Sequence, residues 1–195
     1  LTTSGTGGDA TIDNGTTALG LDTSTITGNL VLRAGAAITD GGDVTVGGNL
    51  TATTDDNDAA INLGTLAVTG TVGVTTNGNG NATLSNAGGL NFAASNVGGD
   101  LGGKAAGGDI SDSGALIVAG NSVFTTVANN RSIVLDEAHQ FEGTVEYKSQ
   151  NLGDGTFTNV TFRDAGDIRI HSAAAVGGDL FIDAGTDGQV GGILS

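Results

Sequence analysis

The chain has 195 residues, including 36 glycines and no proline, cysteine, methionine or tryptophan, and 6 basic against 21 acidic residues give it a formal charge of −15. Without cysteine there is no disulfide framework, thiol catalysis or thiolate metal site, and without proline there is no collagen or proline-rich linker. The six cations, Arg33, Lys104, Arg131, Lys148, Arg163 and Arg169, are scattered, and no apolar run approaches the roughly 20 residues that span a bilayer, so neither nucleic acid nor membrane insertion is expected.

Taken along the chain, one phrase recurs: an aliphatic residue, polar and small residues, glycine, then alternating aliphatics. It is seen as Ile38-Thr39-Asp40-Gly41-Gly42-Asp43-Val44-Thr45-Val46-Gly47 and as Ile61-Asn62-Leu63-Gly64-Thr65-Leu66-Ala67-Val68-Thr69-Gly70. It returns as Leu84-Ser85-Asn86-Ala87-Gly88-Gly89-Leu90-Asn91-Phe92 and as Ile110-Ser111-Asp112-Ser113-Gly114-Ala115-Leu116-Ile117-Val118-Ala119-Gly120. With Ile12 ahead and Ile133 behind, the leading aliphatics recur at an elastic period of roughly 23–26 residues, the range of a solenoid repeat. Second alternating runs follow, as in Leu50-Thr51-Ala52 and Val72-Gly73-Val74. Apolar residues at i and i+2 bounded by Gly, Asn and Asp predict short strands and turns. No helical stripe appears, and glycine at this density would disfavour one.

Short strands at this spacing predict an all-β fold, a parallel β-helix (β-solenoid) of about 8–9 coils of roughly 20–26 residues, stacked at about 4.8 Å. The expected inward rows are Val44/Val46, Leu66/Val68, Leu90/Phe92 and Leu116/Val118 on one wall, and Leu30/Leu32, Leu50/Ala52 and Val72/Val74 on another. A proline would delete a ladder bond between coils, which accounts for its absence. The repeats read as regular over about 8–128 and as irregular, more aromatic and more charged over about 129–195, all within one solenoid. Alternation resumes there at Val145/Tyr147, Val160/Phe162, Ile168/Ile170 and Leu180/Ile182, predicting an aromatic-filled core.

Chemistry has few candidates. His139 and His171 lie more than one coil apart along the chain without a nucleophile motif, and both read as surface or turn residues. Asp136, Glu137, Glu142 and Glu146 with Arg131 and Lys148 form the one cluster that would suit acid–base cleavage of an acidic polysaccharide. A charged, solvated turn explains it equally well, so no catalytic residue is assigned. Asp55, Asp56 and Asp58 offer oxygen ligands for calcium on a turn, although neither the EF-hand nor the calcium β-roll spacing is met and a solvated acidic loop accounts for them. Thr23-Ser24-Thr25 and Thr51-Ala52-Thr53 resemble ice-binding ladders locally but do not recur once per coil.

The phrases Gly28-Asn29-Leu30-Val31-Leu32-Arg33-Ala34-Gly35-Ala36-Ala37-Ile38-Thr39-Asp40 and Ile110 to Gly120 resemble the repeats of filamentous-haemagglutinin-like exoproteins, bacterial surface adhesins exported by two-partner or autotransporter routes. The resemblance covers residues 8 to 128 well and the rest loosely. It implies a right-handed parallel β-helix at the bacterial cell surface or outside the cell, acting as a stalk or fibre rather than an enzyme. It carries over no functional residue. Neither Leu1–Gly8 nor Gly191–Ser195 reads as a cap, so further repeats or other copies are expected to stack end to end. Host- or neighbour-cell surface glycans are the expected external partners of such an adhesin.

Overall fold

The computed structural model describes residues 1–149, 158–172, 176 and 178–185. It is an all-β parallel solenoid of about eight turns, whose coils run between two walls. Strands β1 (Ala10–Asp13), β2 (Leu19–Leu21), β3 (Ser24–Ile26), β4 (Leu30–Ala34), β5 (Ile38–Asp40), β6 (Val44–Val46), β7 (Leu50–Asn57), β8 (Ile61–Val68) and β9 (Thr71–Asn77) come first. Then follow β10 (Ala82–Asn86), β11 (Leu90–Phe92), β12 (Ser95–Val97), β13 (Leu101–Ala105), β14 (Ile110–Asp112), β15 (Leu116–Val118), β16 (Ser122–Thr126), β17 (Ile133–Phe141) and β18 (Thr144–Ser149). Strands β19 (Val160–Asp164), β20 (Arg169–Ile170) and β21 (Leu180–Ala184) complete the described part. An 11-stranded sheet, wall one, and a 10-stranded sheet, wall two, take up these strands alternately.

Every described strand pairing is parallel, and each coil hydrogen-bonds to the coils beside it. Leu30 pairs with Leu50, which pairs with Val72, while on wall two Ile61 pairs with Ala82 and Ala82 with Leu101. Side chains alternate in and out, as in the buried-exposed pattern of β4, so Leu30, Leu32, Leu50, Ala52, Val72 and Val74 line the interior. The predicted second row therefore forms as expected. The outward threonine rows do not run on: Thr2, Thr25 and Thr45 stack, but the next partner is Ala67, and Thr51 lies between Val31 and Gly73.

The other predicted row is wrong. Val44/Val46 does stack on Leu66/Val68 on wall two, but Phe92 stacks on Val72 and Leu90 on Ile110, all on wall one, and Leu116/Val118 also lies on wall one. Only Ile38–Ile61 and Ile110–Ile133 of the predicted leading pairs are true neighbours, because Ile12 pairs with Leu32 and Leu84 with Leu63. A longer repeat underlies the error. Asp9-Ala10-Thr11-Ile12, Asn81-Ala82-Thr83-Leu84 and Asn159-Val160-Thr161-Phe162 open three copies of one long unit. The first copy crosses between the walls seven times, at β1, β2–β3, β4, β5–β6, β7, β8 and β9, and the second repeats the series from β10 to β18. Seven crossings are three and a half coils. Each copy therefore places its equivalent strands on the opposite wall, with β1 on wall one, β10 on wall two and β19 on wall one again.

Hydrogen bonds follow the same unit. Asp9, Asn29 and Asn49 form a corner ladder in which each Oδ1 accepts the backbone N–H of the coil above, from Asn29 (2.6 Å), Asn49 (2.8 Å) and Thr71 (2.9 Å). In the second copy Asn81, Asp100 and Asn121 do this for Asp100 (2.7 Å), Asn121 (2.7 Å) and Thr144 (3.0 Å), at the other corner. Asn159 restarts the series by accepting from Asp179 N–H at 3.0 Å. Each of these bonds satisfies a corner N–H that no strand partner reaches. Leu1–Thr3 matches the last strand of the unit: the Thr3 hydroxyl donates to Gly8 O as the Thr76 hydroxyl donates to Gly80 O.

The core runs through all the copies without a break. In its later coils Phe92, Phe124, Phe141, Phe162 and Tyr147 pack edge-on or tilted at centroid distances of 5.4–6.3 Å, giving the aromatic filling that the sequence predicts. Of the phenylalanines, Phe157 lies outside the described residues and Phe181 faces solvent.

Candidate functional site

Not every coil has the same outline. On wall two β8 runs on past the point where β10 leaves the ladder: Leu66 pairs with Asn86, and the chain turns away while the coil below goes on to Val68. The step is closed by one side chain. Asn86, 2% exposed, accepts the Val68 N–H at 2.8 Å and donates through Nδ2 to Val68 O at 3.0 Å and to Gly89 O. It replaces the missing strand partner. At the next copy junction β17 outruns β19 in the same way, and Asp164, also 2% exposed, accepts from Phe141 N–H (2.9 Å) and Gly166 N–H (2.7 Å).

Replacing Asn86 with alanine leaves the Val68 N–H and carbonyl without partners and is expected to destabilise the chain by about 2–3 kcal/mol in urea titration. Asn86→Asp keeps an acceptor for the Val68 N–H but turns a carboxylate toward two carbonyls. It should be less stable than wild type at pH 7 and recover as acid protonates it, because folding raises its pKa. A pH-independent loss would contradict this account.

Above each step lies an open groove. The first is walled by Val68, Thr69 and Gly70 on one coil, Gly88 to Asn91 on the next, and Asp109 and Ser111 beyond. The second is walled by Gln140, Phe141 and Glu142, by Asp164 to Asp167, and by Arg169. These are the same positions of the repeat unit: Gly88 corresponds to Gly166, Gly89 to Asp167, Asn91 to Arg169 and Thr69 to Glu142. Half-integral phase puts the two grooves on opposite sides of the rod. A reading at the period of a single coil could not find them, because the signal lies at the period of the whole three-and-a-half-coil unit.

The carboxylates singled out from sequence are not gathered into one site. Asp136 and Glu137 sit on wall one, where their N–H groups are held by the Asp112 carboxylate at 3.1 and 3.2 Å. Glu146 lies on wall two, 2.7 Å from Lys148 and 3.8 Å from His171, and the Lys148 hydrogen bond holds its pKa below the ordinary value. Glu142 belongs to the second groove, and Arg131 follows the turn after β16, where its carbonyl accepts from the Thr126 hydroxyl. Of the calcium candidates, Asp55 pairs with Arg33 at 2.8 Å and Asp58, at φ 62°, accepts the Asn79 N–H, while Asp56 is exposed. Among the described residues no three acidic or histidine side chains are grouped to hold a metal ion.

His139 corrects the expectation of a surface residue. It is fully buried, its Nδ1 accepting the Leu116 N–H at 2.9 Å, so the neutral ring carries its proton on Nε2, 3.4 Å from Asp112 Oδ2. Burial pulls its pKa down to about 4, against smaller opposing effects of the Leu135 backbone and Asp136, and burial raises that of Asp112. It stands where the preceding copy has Leu66, so it is a core position with a polar occupant. His171 is half-exposed.

A family model described as repeats of unknown function (DUF5649) matches residues 7–58 and 79–148. The stretch between the two matches contains β8 and β9, the coil at which the walls exchange roles. No curated protein and no solved structure matches the chain.

Proposed function

Because the chain belongs to the DUF5649 family of repeats, its role rests in the repeat itself, and we propose that it is a structural and adhesive segment of a large bacterial cell-surface or extracellular protein. It acts as a rigid β-solenoid stalk or fibre subunit and not as an enzyme. One observation carries this reading: the core and the parallel strand pairing pass from copy to copy, with β10 and β11 hydrogen-bonded to β8 and β9 of the first copy and β19 to β17 of the second. A unit that joins to the next through the same backbone bonds that hold it together internally is suited to building length. Each added copy would extend the rod by about 17 Å and turn it by half a revolution. The resemblance to filamentous-haemagglutinin-like repeats supports the surface location, and strand pairing that continues across each copy junction favours stacking on further repeats or other copies.

Small-angle scattering of the chain tests the stalk directly. The expected particle is a stiff rod roughly 40 Å long for eight coils, and a concatenated chain with one more copy should lengthen by about 17 Å without a second, flexible body. A compact particle, or a bend at the added junction, would overturn the reading. Acidic polysaccharides incubated with the protein should release no unsaturated or reducing product.

A further inference from the structure

We infer that the groove at each repeat junction is a binding site for uncharged glycan segments, displayed once per copy on alternating sides of the rod. This rests on the adhesive half of the function proposed above and adds where the contact is made.

Three observations carry it. First, the groove recurs by construction: β8 outrunning β10 makes one and β17 outrunning β19 makes the next, with Asn86 and Asp164 as equivalent plugs. Second, the lining changes between the copies while the frame does not. Gly88 and Gly166 are retained, whereas Asn91 becomes Arg169 and Thr69 becomes Glu142. A constant cleft with exchanged polar side chains is the pattern of one binding mode with different selectivity.

Third, the chemistry of the walls selects the ligand. Polyanions are disfavoured by a chain of charge −15 with one cation in the second groove and none in the first. A cation alone is disfavoured because no three acidic or histidine side chains converge among the described residues. A docked peptide would need an apolar anchor or a free strand edge. The large apolar residues in the grooves do not provide the anchor, since Leu90 is 0% exposed and Phe141 only 4%, and at the overrunning strand ends Asn86 takes the Val68 N–H and carbonyl while Asp164 takes the Phe141 N–H. What the grooves do present is hydrogen-bonding side chains over glycine: Asn91, Asp109 and Ser111 in one, Gln140, Asp167 and Arg169 in the other. Amide, carboxylate and hydroxyl groups of this kind pair with the vicinal hydroxyls of a sugar. Grooves on opposite faces, about 17 Å apart along the axis, would bridge two glycan chains rather than follow one.

The grooves can be filled without disturbing the coil. A Cβ on Gly88 meets nothing closer than Asn86 Nδ2 at 4.0 Å, and one on Gly166 nothing closer than Asp164 Oδ1 at 3.5 Å. Amide NMR of the intact chain, titrated with neutral oligosaccharides of β-linked glucose, β-linked N-acetylglucosamine and α-linked mannose, reads both sites. At least one probe should shift amides in 67–70, 88–91, 140–142 and 164–169. Gly88→Gln should remove the first set alone and Gly166→Gln the second alone, with Asn91→Ala and Arg169→Ala weakening the same sets should either glutamine variant misfold. Absence of any response at about 10 mM overturns the inference, as does a response that the variants do not move, or a response to a lysine-rich peptide instead. A stiff rod that binds none of the sugars would leave the stalk standing and this inference refuted.

Discussion

Gly103→Leu is expected to destabilise the chain by about 3 kcal/mol, the upper end for overpacking, and the addition of Phe92→Leu is expected to restore most of that loss. The two positions share one volume. A Cβ on Gly103 would lie 2.7 Å from Phe92 Cζ and 3.3 Å from Leu90 Cδ2, so the phenyl ring occupies the space that a side chain would take. In the first copy the equivalent positions hold Leu32 and Leu21, both buried, and in the third they hold Ile182 and Ile170. Two medium side chains, or one large and none, fill the same section of the core. Phe92→Leu alone should cost about 1–2 kcal/mol through the partial cavity. The double variant rebuilds the leucine pair of the first copy, and the coupling between the two substitutions should therefore be favourable by about 3 kcal/mol, the upper end for residues in contact. Recovery will be incomplete, because Phe92 also packs edge-on against Phe124 at 5.8 Å. Urea titrations of the four proteins measure the cycle, and simply additive losses would show that the copies do not share one packing rule.

That covariation was in the sequence but hidden by the choice of period. Alternating aliphatics such as Val44/Val46 and Leu50/Ala52 are enough to predict strands, because the two-residue rhythm of a strand is local. Glycine and asparagine at the corners are enough to predict coils. Which wall a strand joins is not local: it depends on the count of crossings since the last equivalent strand, and an odd count of seven reverses it. The leading aliphatics Ile12 and Ile38 look like neighbours but face different walls, since the first belongs to β1 and the second to β5. The candidate site was illegible for the same reason. Its residues come from three successive coils, and only the alignment of whole units shows that Asn86 and Asp164 close equivalent steps. The burial of His139 was hidden differently, because a polar residue at an inward position reads as a turn until Leu66 is seen to occupy the same place in the preceding copy.

Acid should expose that histidine. The ordinary pKa of 6.5 falls to about 4 on folding, so above pH 6.5 both states hold a neutral ring and His139 contributes no pH dependence. Between those values the unfolded chain takes up a proton that the folded chain refuses, and stability falls as pH is lowered, by about 3 kcal/mol in all. The loss ends near pH 4, where the folded state is protonated too. Asp112 acts with the opposite sign: its raised pKa means that the folded state takes up a proton first, which offsets part of the loss at the acid end. The other groups near the ring are Asp136, whose charge favours the imidazolium, and Asp164, which lies opposite His139 in the register but is engaged with backbone N–H groups.

His139→Leu reproduces the occupant of the preceding copy and separates this effect from general acid denaturation. At pH 7 the variant should be less stable by about 1–3 kcal/mol, because the buried Leu116 N–H loses its acceptor. As pH falls from 6.5 towards 4 the difference should shrink and then reverse, since leucine has no proton to refuse. Urea titrations of both proteins across that range measure the crossing. Parallel curves would mean that His139 titrates in the folded chain as it does in the unfolded one, and the buried ring with its proton on Nε2 would have to be abandoned.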